Sequence, residues 1–151
     1  HKNHAGTPAR YLEGNSMDMP FEPDSFDVVL NVESCHAYRD QALFIREVAR
    51  VLRPGGKLHL VDVRAIWNWD LLYQWVSVAG LELIEDVDIS SNVVTAIELD
   101  EPTKKALIKK RVPFWLRGMF TEFAGNVGSQ LYERLKNGEI QYRRIAAQRP
   151  A

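Results

Sequence analysis

Apolar positions along the chain switch several times between the two-residue period of strands and the three-to-four-residue period of helices. Tyr11-Leu12-Glu13 is a short strand candidate ended by Gly14. A polar loop from Asn15 to Phe21 follows, closed by Pro20, and Pro23-Asp24-Ser25 is a second turn signal. Phe26-Asp27-Val28-Val29-Leu30-Asn31-Val32 is a compact, β-branched run of the kind that forms a strand buried on both faces. Asp40 is placed to cap a helix running to about Arg53, with Phe44, Ile45, Val48, Val51 and Leu52 on one face and Pro54-Gly55-Gly56 as its stop. Lys57 to Val63 predicts the next strand, and Ile66 to Ala79 an amphipathic helix with Gly80 as its C-terminal glycine. Leu81, Leu83, Val87 and Ile89 alternate as a further strand.

Beyond it, Ser90-Ser91-Asn92 offers a helix cap before Val93, Val94 and Ile97, and Pro102 is placed to open a second helix through Arg111. Pro113 resets the chain before Trp115, Leu116, Met119, Phe120 and Phe123. Ser129 caps a short helix through Lys136, Asn137-Gly138 turns the chain, and Glu139 to Gln148 is a last strand. Strands alternating with helices predict an α/β domain with a parallel sheet covered on both faces. Residues 90–138 form a helical elaboration of that one domain.

In open α/β sheets, ligands bind beyond the carboxyl ends of strands. That rule singles out Gly14 to Met19, Asn31 to Tyr38, and Asp62-Val63-Arg64. Asn15-Ser16-Met17-Asp18 reads either as a site for a planar polar group, such as a purine edge, or as a solvated turn. His36 reads either as a general base or as a hydrogen-bonded structural histidine. Asp62, at the end of an apolar strand, is either an orienter or base beside His36 or the salt-bridge partner of Arg64. Cys35 reads as a small buried residue. Trp115, Met119, Phe120 and Phe123, with Arg117 among them, read either as a lid helix packed on the sheet or, in preference, as a lid that also walls a pocket for a lipid-like ligand. Lys104-Lys105 and Lys109-Lys110-Arg111 read as a solvated helix face in preference to a membrane contact. His1, His4 and His59 have no spacing for a metal set.

Composition narrows the field. The 151 residues are 46% hydrophobic and 26% charged, enough for one domain with a real core. Nineteen basic and twenty acidic residues leave a net charge of −1, with no basic surplus to suggest a nucleic-acid footprint or an anionic-membrane patch. No run is long enough for a transmembrane helix. A single cysteine makes a reducing, cytoplasmic setting the default.

Three segments together resemble a known family. They are Glu13-Gly14-Asn15-Ser16-Met17-Asp18-Met19-Pro20-Phe21, Ser25-Phe26-Asp27-Val28-Val29-Leu30-Asn31-Val32-Glu33-Ser34, and Val51-Leu52-Arg53-Pro54-Gly55-Gly56-Lys57-Leu58. In this order and spacing they resemble the middle of class I S-adenosylmethionine-dependent methyltransferases. Asn31 to Tyr38, Asp62-Val63-Arg64, Phe123-Ala124-Gly125, Gly128-Ser129, Tyr132, Gly138 and Tyr142 resemble more closely the phthiotriol/phenolphthiotriol dimycocerosate methyltransferase-like group (methyltransferase type 11), which O-methylates lipid or polyketide hydroxyls.

The resemblance implies a Rossmann-like, mostly parallel sheet with an antiparallel last strand after a helical insertion, and S-adenosyl-L-methionine as cofactor. It places Asn15, Ser16 and Met17 at the adenine and Asn31 near the methionine moiety. It makes His36 the base with Asp62 near it. With the strand-end rule, it puts Glu33, Tyr38, Arg64, Trp115 and Phe120 around a small hydrophobic acceptor. The family's glycine-rich loop and ribose-binding acid have no counterpart here. The start at His1-Lys2-Asn3-His4, without Met, therefore predicts that at least two strand–helix units of about 30 residues each are missing, with residues 1–10 the remnant of a helix. A bare inner sheet edge favours self-association. The alternative expectation is a non-catalytic binding or regulatory module of the same fold. An oxidoreductase ranks third, for lack of a dinucleotide fingerprint.

Overall fold

The computed structural model describes residues 10–123 and 125–151. Residues 11–13 belong to no strand. The local contact is instead a single bridge between Asn15 and Asp18 that closes the following turn. The proposed helix remnant over residues 1–10 lies, except for Arg10, outside the described residues.

The first strand is β1, Phe26–Val32. It is not buried on both faces: Val28, Leu30 and Val32 point outward, and Leu30 is 72% exposed. β1 pairs only with β2 among the described residues, so it is an edge strand with one face uncovered.

Helix α1 spans Gln41–Val51 and starts as expected, the Asp40 carboxylate accepting from the Leu43 amide at 2.8 Å. It ends two residues early. Leu52 already belongs to β2, Leu52–Ala65, which runs straight through Pro54-Gly55-Gly56. The glycines do not stop the helix; they kink a strand. Gly55 adopts φ +79°, and the β1–β2 register slips between Phe26↔Leu52 and Val28↔Lys57. Exchanged bonds of 2.9 Å between Gly55 and Arg149 and between Arg149 and Gly56 hold the kink in place.

Helix α2, Ile66–Val78, is closed by Gly80 at φ +79°, with the Leu81 amide reaching back to the Val76 carbonyl at 3.0 Å. Strand β3, Glu82–Asp88, follows at the other edge. Helix α3 is one 22-residue helix, Ser90–Arg111, with Pro102 inside it. The proline was expected to begin a separate helix. Packing of Val93, Val94 and Ile97 on the sheet holds the preceding turns, and this tertiary contact outweighs the one backbone bond that proline removes. A 3-10 turn at Phe114–Leu116 leads into α4, Arg117–Phe123. Helix α5, Gln130–Lys136, is capped by the Ser129 hydroxyl as expected, and Gly138 turns the chain into β4, Ile140–Gln148.

The sheet order is β1-β2-β4-β3, with β1 and β2 parallel and β4 antiparallel to both β2 and β3. On one face α1 and α2 bury Phe44, Ile45, Val48, Trp69, Leu72 and Val76 against Leu58, Leu60 and Ile145. On the other, α3 and α5 cover Val61, Val63, Ile140 and Tyr142. Both layers leave the carboxyl ends of β1 and β2 at the same end of the sheet, where Asn31 and Asp62 sit.

Candidate active site

The parallel pairing of β1 and β2 aligns Val32 with Val61, so the segment after β1 lies beside Asp62. The chain leaves β1 through Glu33, a non-glycine residue at φ +49°, whose amide donates to the Val61 carbonyl at 2.8 Å. A left-handed carboxylate residue at a strand end carries a conformational cost that functional sites commonly bear. Asn31 is buried and ties down the turn: its Oδ1 accepts from the Cys35 amide at 3.1 Å and its Nδ2 donates to the Tyr38 hydroxyl at 3.2 Å. Tyr38 in turn donates to Ser34 Oγ.

His36 and Asp62, 26 residues apart, meet. The Asp62 carboxylate, fully buried, accepts from the His36 amide at 3.0 Å and lies 2.5 Å from His36 Nδ1. It also accepts from the Val63 amide and from Arg64 Nη2, each at 2.9 Å. An acceptor on Nδ1 puts the proton there and leaves the Nε2 lone pair on the outer side of a ring that is 43% exposed. One carboxylate thus contacts the histidine and the arginine at once.

Arg64 does not face a ligand. Its guanidinium is buried over the Trp69 ring and bonds Asp62 and, at 2.6 Å, Gln41 Oε1. Gln41 Nε2 closes the ring by donating to the His36 carbonyl at 3.2 Å. Gln41 escaped the sequence reading because a glutamine in a helix's first turn has no signature of its own. Cys35 is buried and unpaired, as expected, and burial pushes its thiol up to about 11, opposed by Arg64.

Beside this network, a cavity of about 310 Å³ opens between the Leu12–Phe21 loop and β1. Its lining brings together Asn15, Ser16, Asn31 and Tyr38 with apolar Met19, Val29 and Phe44. Met17 is in the turn but not in the wall; its amide donates to Asn15 Oδ1 at 3.0 Å, leaving the Asn15 side-chain amide to point outward. The loop is fastened by two residues that sequence reasoning passed over. Arg50 donates to the Phe21 and Met19 carbonyls at 2.7 and 3.0 Å, and Glu47 accepts from the Met19 amide at 2.9 Å. Arg50 beside Glu47 holds that carboxyl below the usual carboxylate range. The spacing of the two on α1, three residues apart, was the available clue. Trp115 and Phe120, the expected lid aromatics, are exposed in the α3–α4 region.

The chain is similar to known methyltransferases. The family described as "Methyltransferase domain" matches residues 1–60. Phthiotriol/phenolphthiotriol dimycocerosates methyltransferase of Mycobacterium tuberculosis is 35% identical over 147 residues, 94% of this chain and 53% of that protein. Fatty-acid O-methyltransferase of Mycolicibacterium smegmatis is 30% identical over 141 residues, 93% of this chain and 51% of that protein. The chain thus spans about half the length of the curated relatives it matches.

Among solved structures, geranyl diphosphate methyltransferase with S-adenosylmethionine superposes with a TM-score of 0.63 at 20% identity, covering 90% of this chain and 56% of that one. Haemonchus contortus phosphoethanolamine N-methyltransferase 2 gives 0.72 at 16%, covering 91% and 36%. The [4+2]-cyclase SpnF gives 0.67 at 21%, covering 91% and 54%, so the fold by itself does not name the reaction. The family match over residues 1–60 and the relatives make this chain similar to S-adenosylmethionine-dependent methyltransferases, and the solved structures share its fold.

Proposed function

We propose that this chain carries the adenine-side cradle and the general base of an S-adenosylmethionine-dependent O-methyltransferase acting on a hydroxyl of a small hydrophobic, lipid or polyketide-like acceptor. The observation that carries this reading is the His36–Asp62 pair, with Nδ1 held, in the same turn that gives Asn31 and Tyr38 to the cavity wall, although neither His36 nor Asp62 lines that cavity. The lining fits a purine: a polar turn at Asn15 and Ser16 and apolar walls at Met19, Val29 and Phe44, in a space near the lower bound for ligand sites of about 300 Å³. S-adenosylmethionine, when bound, supplies the methyl group. Asn15 and Ser16 border the adenine, Met17 holds their turn through its amide bond to Asn15, and Asn31 anchors the strand end near the methionine moiety.

His36 Nε2 takes the proton that the acceptor hydroxyl loses as its oxygen is methylated. Asp62 keeps the imidazole in the right tautomer and stabilises the imidazolium, and Arg64 with Gln41 keeps the Asp62 carboxylate aimed. Arg64 is therefore a positioning residue. Glu33 and Tyr38 flank the acceptor's polar end, and Phe120, within the 90–138 lid, its apolar body. The lipid character of the acceptor rests on the relatives' names.

The test is titration of the chain with S-adenosylmethionine by calorimetry, followed by methyl transfer to a hydroxylated fatty acyl acceptor. Binding is expected, and His36→Gln should lower the transfer rate about 10²–10⁴-fold with little change in cofactor affinity. A rate within a few-fold of the parent removes the base role. No binding and no transfer at millimolar cofactor would support the non-catalytic module instead.

A further inference from the structure

From Pro102 to Thr121 the chain carries Lys104, Lys105, Lys109, Lys110, Arg111 and Arg117 and no Asp or Glu, although its net charge is −1. Lys104 and Lys105 are engaged by Asp100 and Glu101 one turn back. Lys109, Lys110 and Arg111 crowd the last turn of α3 without an acidic partner among the described residues. Directly beyond them, Phe114 is 80% exposed, Trp115 70% and Met119 61%.

The two features form one corner. Arg117, at the start of α4, donates to the Lys109 and Val112 carbonyls at 3.0 and 3.1 Å, strapping the ring-bearing turn to the cationic helix end. The helix dipole accounts for cations in a last turn. It does not account for two neighbouring aromatic rings left in water, where each gives up most of the stabilisation that burial would bring. Taken without the rings, the cations suggest only a solvated helix face; with the rings beside them, their placement changes meaning.

We propose that this corner docks the protein on an anionic lipid bilayer. Phe114 and Trp115 enter the boundary between headgroups and acyl chains, and Lys109, Lys110 and Arg111 lie on the lipid phosphates. Rings at the tip of a short turn with a cationic collar suit a soft, planar, negatively charged surface better than a preformed protein groove. The proposal stands independently of which residue is the catalytic base.

The test is sedimentation of the chain with vesicles of 30% phosphatidylglycerol in phosphatidylcholine, against vesicles of phosphatidylcholine alone, in 0.1 M KCl. Anionic vesicles should bind at least tenfold more strongly. At about 1 kcal/mol for each cation near the surface, or about fivefold, K109Q/K110Q/R111Q should weaken partitioning about a hundredfold. F114A/W115A, with circular dichroism unchanged, should weaken it at least tenfold, whereas R46Q/K57Q/R134Q should change it less than threefold. Equal loss in that last variant, insensitivity to removal of the rings, or binding to soluble polyglutamate but not to vesicles would each overturn the proposal, the last in favour of an acidic protein partner.

Discussion

Asp62→Asn probes the centre of the site. Asp62 Oδ1 receives the His36 ring nitrogen and the Val63 amide, and Oδ2 receives the His36 amide and Arg64. Whichever way an asparagine is turned, its NH₂ lands on two donors. The side chains of Asp62 and Arg64 are 0% and 3% exposed, so the substitution strands a buried cation whose Nε already lacks a partner among the described residues. Breaking a buried pair on one side costs about 3–5 kcal/mol, out of a total stability of about 5–15 kcal/mol for a domain. The asparagine carbonyl should stay with the cation, which turns its NH₂ toward His36 and moves the imidazole proton from Nδ1 to Nε2.

Urea denaturation followed by tryptophan fluorescence measures the loss. Nitrogen-15 chemical shifts of the His36 ring report the tautomer. Adding Arg64→Met to Asp62→Asn removes the stranded charge and should recover about 1 kcal/mol or more, a non-additivity expected only of direct partners. A loss below about 1 kcal/mol with an unchanged tautomer would refute the orienting role of Asp62.

Two further substitutions test the supports of the site. Gly56→Ala places a Cβ 2.9 Å from the Arg53 carbonyl oxygen and 3.2 Å from that of Asp27, both backbone atoms, so it should cost about 1–3 kcal/mol in urea denaturation, and a cost under about 0.5 kcal/mol would mean that the β1–β2 kink is not tightly packed. The Cys35 thiol, pushed up to about 11 chiefly by burial, should resist a disulfide reagent at pH 8 until the chain unfolds. Because its folded value lies above the unfolded one, the stability it contributes is fully present below about pH 8.5 and is lost as pH rises through about 11, on the order of 3 kcal/mol. Cys35→Ala should lack that decline, and an identical decline in both proteins would contradict the burial argument.

Local chemistry was enough to place the features that depend on a few neighbouring residues. Asp40 begins α1, Gly80 ends α2, Ser129 begins α5 and Gly138 turns into β4, because each is a cap or turn whose bonds close within a few residues. The candidate segments after β1 and β2 were also legible, since strand ends carry polar residues only where something can receive them. What the sequence could not decide were relations between distant segments. Tyr11-Leu12-Glu13 has strand character but forms no strand, and β1 has the composition of a central strand but one uncovered face. Leu52 to Gly56 joins a strand because β1 and Arg149 supply its bonds, and Pro102 stays inside α3 because the sheet holds the turns before it. Arg64, which the strand-end rule places near a ligand, is instead turned inward by Asp62, Gln41 and Trp69. Likewise, whether His36 was a base or a structural residue turned on a carboxylate 26 positions away, and only the parallel pairing of β1 with β2 brings the two together.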